Sequence, residues 1–216
     1  MLIGVDEAGR GPVLGSMFVA AVATPDADVL PRDVADSKSI PGEVRERLAT
    51  EMATDDRVCT TVVEVSVEEI DDPRSNLNEL TVQAAGDALR DVTTAGREST
   101  CVLDACDVDP DRFARRIRAC VPECVSVSAR HRADEDEPVV GAASIVAKSA
   151  REAHVESLAQ RYGEIGSGYA HDARTRAFLE SYLHECGELP ACARRSWQTS
   201  ADLVASAAQG TMAQFE

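Results

Sequence analysis

Residues 1–12 read MLIGVDEAGRGP, and the fold turns on how this apolar run ends. Leu2, Ile3 and Val5 are strand formers, and Asp6 and Glu7 follow where a central strand is still buried. Burying a carboxylate is costly unless it is paired or bound to metal, so two of them here point to a cation site. The alternative is a strand end whose acids face water. Successive strand residues point to opposite faces, so both acids reach one region only through a twist or bulge at Gly4 or Ala8. Gly9-Arg10-Gly11-Pro12 is then a tight turn whose glycines let backbone N–H groups approach a ligand closely.

The 216 residues suit one well-packed domain with a small appendage. No apolar run approaches the ~18 residues needed to span a bilayer, and no basic region precedes a cleavable segment, so a cytoplasmic protein is expected. Seven cysteines, an odd number without repeated CxxC spacing, indicate neither a disulfide framework nor a zinc ribbon and read as small buried apolar residues. The net charge of -16 is unusual for a nucleic-acid enzyme. Either the protein avoids nucleic acid, or it is built for molar salt, where the Debye length is ~3 Å. Of the 22 basic residues only Lys38 and Lys148 are lysine. Such acid-rich, lysine-poor composition resembles that of proteins from halophilic archaea.

Along the chain, residues 16–24 predict a second strand in a hairpin with the first, and residues 25–34 a polar loop. Helices are predicted over 43–54, 76–94, 111–121, 139–160 and from the N-cap Asp172 to Cys186; strands over 58–66, 100–105 and 124–129. The run TCVLDA at 100–105 repeats the opening design, closing on Asp104. Asp107, Asp109 and Asp111 do not form a calcium loop, because Arg112 and Arg118 occupy the positions of the required glycine and glutamate. The arginines at 112, 115, 116 and 118 read as a solvated helix face. Gly141-Ala142-Ala143-Ser144 permits close approach of a helix to a sheet. This order predicts an α/β protein with a mixed five-stranded sheet flanked by helices.

DEAGRGP resembles the first motif of the type 2 ribonucleases H (ribonuclease HII). The resemblance continues in Asp36-Ser37-Lys38, Asn76-Leu77-Asn78-Glu79-Leu80, ADEDEPVVGAASIVAK at 133–148, Gly166-Ser167-Gly168-Tyr169 and Arg194-Arg195-Ser196-Trp197, spanning about residues 1 to 200. It implies the ribonuclease H-like fold, three antiparallel strands extended by two parallel ones, with a C-terminal helical region. It further implies that Asp6, Glu7, Asp104 and Asp134 are catalytic ligands of two divalent ions, Mg²⁺ or Mn²⁺. Gly9, Arg10, Gly11 and Tyr169 would then read the sugar of a ribonucleotide, and Lys38 and Lys148 would contact phosphates. The implied activity is endonucleolytic hydrolysis of RNA in RNA–DNA hybrids and nicking 5′ to ribonucleotides in duplex DNA, by a monomer with no membrane partner. A DNA-directed two-metal nuclease of the same fold and a non-catalytic nucleic-acid-binding module are the alternatives. Residues 1–200 form the expected catalytic domain and 201–216 a tail. In that tail Gln209, Met212 and Phe215 resemble the peptide that binds sliding clamps of the proliferating cell nuclear antigen type, with Glu216 replacing the usual second aromatic.

Overall fold

The computed structural model describes residues 1–36, 40–94 and 96–212. Its sheet consists of β1 (Leu2–Ala8), β2 (Met17–Thr24), β3 (Cys59–Val65), β4 (Ser99–Asp104) and β5 (Val125–Arg130), in the spatial order β3-β2-β1-β4-β5. The first three pair antiparallel, and β4 and β5 extend the sheet in parallel from β1. The helices are α1 (Gly42–Thr54), α2 (Val67–Asp71), α3 (Leu77–Val92), α4 (Pro110–Arg118), α5 (Ala133–Asp136), α6 (Pro138–Tyr162), α7 (Ala173–Cys186) and α8 (Gln198–Met212).

Strand alternation divides the core. Ile3, Val5, Val19, Ala21 and Leu103 pack on one face against Ala85, Leu89 and Phe113 of α3 and α4. Ala20 and Val22 pack on the other against Leu48 and Met52 of α1 and Val140 and Ala143 of α6. Here α6 lies directly on the sheet: a Cβ added to Gly4 would collide with the Val139 carbonyl, and Gly141 to Ala147 are all buried. Small side chains thus bring the helix, with Ser144 and Lys148, up to the end of β1. A third cluster joins Val13 and Leu14 to Ile165, Leu179, Leu183 and Cys192, so the segment after β1 is held by the C-terminal third of the chain.

Three expectations need correction. The predicted loop at 25–34 carries tight helical turns at Ala27–Val29 and Arg32–Asp36, because Asp26 caps the first and Leu30 and Val34 are buried against α6. The chain after β3 forms α2, which the sequence reading passed over although Ser66 and Glu69 make a reciprocal capping box. The cysteines are all free, but Cys59 and Cys186 are exposed rather than packed inside.

Candidate active site

Parallel pairing sets Val5 opposite Leu103, so Asp6 and Asp104 come next, at the C-terminal ends of neighbouring strands. β5 ends at Arg130, and Arg132, a left-handed residue at φ 59°, turns the chain into α5 and delivers Asp134. One carboxylate oxygen from each of Asp6, Asp104 and Asp134 lies within 4.8 Å of the others. The Ala133 N–H donates to Asp104 Oδ1 at 3.0 Å and fixes the two segments together. Charges so spaced repel by about 3 kcal/mol per pair at an effective dielectric of 20. A trio of hard oxygen donors, two of them buried, suits a divalent cation.

Glu7 stands apart from this trio. The β1–β2 register is unbroken from Leu2↔Thr24 to Ala8↔Phe18, without the bulge that would bring both acids together, so alternation sends Glu7 to the opposite face from Asp6. It still feels the same field. Burial, and then Asp6, push the Glu7 carboxyl up to about 8, with Arg10 opposing. Burial likewise pushes Asp6 up to about 7, with the nearby Ser144 hydroxyl opposing and Asp104 adding to the rise. Protonated acids at neutral pH mark a site that lacks positive charge.

Beside the acids lies the Gly9–Gly11 turn. Gly9 has φ +83°, and a Cβ there would press on the Ser16 carbonyl and the Arg151 side chain. The loop carrying Tyr169 is stitched to the same segment: the N–H groups of Val13 and Leu14 donate to the Gly168 carbonyl at 2.8 and 3.1 Å. Asp172 caps α7 as expected and accepts from the Ser167 N–H at 2.6 Å; that bond chiefly pulls its carboxyl down to about 2. Tyr169 lies beneath the Arg151 guanidinium, 5.0 Å from ring centroid to Cζ.

Glu7, Arg10, Arg45, Lys148, Arg151 and Tyr169 line one cleft. An acidic protein thus gathers basic side chains next to its carboxylates, together with Glu152. Lys38 and Phe215 lie outside the described residues, as do the side chains of Gln209 and Met212, whose backbone ends α8.

Several contacts around the site escaped sequence reasoning. The Arg10 side chain turns back to α3, donating to Thr81 Oγ1 at 2.5 Å and to Asn78 Oδ1. This gives the Asn76–Leu80 stretch a role: it anchors the turn. Arg45 is paired with Glu152 beside the cleft. Arg194 is fully buried against the Gly9–Gly11 turn. The signal for it was the Arg-Arg-Ser-Trp stretch, in which nothing tells the buried arginine from its exposed neighbour.

The family model of ribonuclease HII matches residues 3–200. The chain belongs to the ribonuclease HII family. It is 50% identical to the ribonuclease HII of Haloarcula marismortui over 215 residues, covering 100% of both chains. The crystal structure of ribonuclease H2 from Pyrococcus horikoshii OT3 superposes with a TM-score of 0.86 at 37% identity, over 95% of this chain and 97% of that one. The ribonuclease HII in the PCNA:RNase HII complex from Archaeoglobus fulgidus gives 0.84 at 36% identity, over 94% and 96%. As a ribonuclease HII, the protein is a ribonuclease H, a hydrolase and endonuclease with relatives in halophilic archaea. The five-stranded mixed sheet is the ribonuclease H-like fold that the first motif implied. Among the described residues of this ribonuclease HII, no helix is long and apolar enough to cross a membrane.

Proposed function

We propose that this enzyme hydrolyses the RNA strand of RNA–DNA hybrids and nicks duplex DNA 5′ to an embedded ribonucleotide, leaving 5′-phosphate and 3′-hydroxyl ends. The observation that carries the reading is the meeting of three carboxylates with the Gly9–Gly11 turn and the Tyr169 loop at the C-terminal ends of the central strands. Asp6, Asp104 and Asp134 hold divalent metal, Mg²⁺ or Mn²⁺, and Glu7 contributes from the far face of β1. Two such ions, when bound, supply Lewis acidity to the attacking water and the leaving oxygen. The chain itself does the positioning. Backbone amides of the turn hydrogen-bond the 2′-hydroxyl, the group that separates RNA from DNA. Tyr169 packs on the adjoining sugar, and Lys148 and Lys38 contact phosphates. The expected place of action is the cytoplasm.

The tail supplies a second contact. Gln209, Met212 and Phe215 follow the order of a clamp-binding peptide, and a relative has been solved as a PCNA:RNase HII complex. With ~5 phosphate contacts, tenfold more salt lowers nucleic-acid affinity by roughly 10⁴ to 10⁵. Apolar clamp binding survives such salt and keeps the enzyme near DNA.

Cleavage of a duplex with one ribonucleotide, beside an all-DNA duplex and the Asp6→Asn variant, tests the assignment. Cutting of the ribonucleotide duplex alone, lost in Asp6→Asn, is expected. Activity on both duplexes, or on neither, overturns it.

A further inference from the structure

Arg194 sits in the segment between α7 and α8, is 0% exposed, and is the largest fully buried side chain described. Burial of an arginine demands compensation. Here it comes from backbone rather than from a carboxylate: Nε donates to the Gly15 carbonyl at 2.8 Å, Nη1 to Arg10 at 2.8 Å and Nη2 to Gly9 at 2.5 Å. The guanidinium lies over the Trp197 ring, 4.8 Å from its centroid, and Trp197 Nε1–H donates to the Gly11 carbonyl at 3.2 Å. Two side chains thus hold all three carbonyls of the Gly9–Gly11 turn from the inside. Asp71 at the end of α2 locks that pair in place by accepting from the backbone N–H groups of Arg195 and Ser196, at 2.6 and 3.0 Å.

A trans peptide unit places its C=O and N–H on opposite sides, and no cis peptide occurs among the described residues. A Gly9 carbonyl drawn inward therefore turns the Arg10 N–H outward, and an inward Arg10 carbonyl does the same for Gly11 N–H. The Gly11 carbonyl is followed by Pro12, which has no N–H to present. Gly11 is exposed, and a Cβ on it would lie 3.9 Å from the Tyr169 ring.

We infer that Arg194, with Trp197, is the positioning residue for sugar recognition: its planar fork sets the two peptide planes whose amides, those of Arg10 and Gly11, receive the 2′-hydroxyl. This rests on the proposed reading of the turn and goes further by naming what aims its amides. Lysine cannot replace the fork, since one ammonium does not span three carbonyls in fixed directions.

The test is equilibrium binding in EDTA, where no turnover occurs, of two duplexes identical except for a single ribonucleotide. Wild-type protein should prefer the ribonucleotide duplex. In Arg194→Lys that preference should fall about tenfold, and in Trp197→Phe, which keeps an aromatic face but loses the indole N–H and its hydrogen bond, about threefold, with all-DNA affinity unchanged. Should Arg194→Lys fail to fold, Trp197→Phe decides. Retained preference in the folded variants overturns the inference, and so does an equal loss of affinity for both duplexes, the mark of a merely structural role. A wild-type protein with no preference overturns instead the sugar-reading turn on which the inference rests.

Discussion

The N–H of Val13 donates to the carbonyl of Gly168 at 2.8 Å, fastening the segment after β1 to the loop that carries Tyr169. The acids and the proposed sugar-reading groups therefore share one frame although they come from segments far apart in the chain. Gly168 has φ +82°, and a Cβ there would lie 3.3 Å from the Leu14 carbonyl and from Arg151 Nη2. Gly168→Ala should cost about 1–2 kcal/mol through the left-handed backbone alone. The melting temperature should fall, and KM for a ribonucleotide duplex should rise more than kcat falls. An unaltered KM would mean that the loop does not depend on this junction.

Asp104→Asn keeps an oxygen for the Ala133 N–H but removes one charge from the trio. Cleavage should drop at least about a hundredfold, as for loss of a group that tunes a metal site. Melting in EDTA should be unchanged or slightly higher, because repulsion is relieved. A large drop in metal-free melting temperature would reassign Asp104 to a structural role.

Stability without metal should depend on pH in an unusual direction. Asp6 and Glu7 ordinarily titrate at 3.8 and 4.5, but burial raises them to about 7 and about 8 in the folded protein. Between those limits the unfolded chain binds fewer protons than the native state, so stability falls as pH rises. Chemical denaturation in EDTA should show midpoints declining from about pH 4 to about pH 8, with divalent ion reversing the loss. Midpoints that rose over this range would contradict the burial of unneutralised acids.

Low salt should destabilise the protein. The formal charge of -16 is screened over ~3 Å at 1 M salt but only over ~10 Å at 0.1 M. Thermal melts in the two conditions should differ, with the lower temperature at low salt. Equal melting temperatures would show that the acid excess is not a salt adaptation.

What the sequence determined by itself was local or periodic. Apolar runs closing on Asp6 and Asp104 predicted strand ends, Gly141 to Ser144 predicted a helix lying close to the sheet, and Asp172 predicted a cap; each follows from side-chain polarity, size or hydrogen bonding within a few residues. Motif resemblance supplied the acid in α5, which composition alone would have left in a charged loop. Tertiary structure decided the rest. Where Glu7 points hinged on a bulge, and the unbroken register between β1 and β2 turns it from the three aspartates into the cleft beside them, still within their field. The direction of the Arg10 side chain depended on where Asn78 and Thr81 of α3 came to lie. The burial of Arg194, with exposed Arg195 beside it, depended on packing against a turn some 180 residues earlier in the chain. Burial and pairing are properties of distant segments brought together, and neither residue type nor spacing encodes them before the sheet has formed.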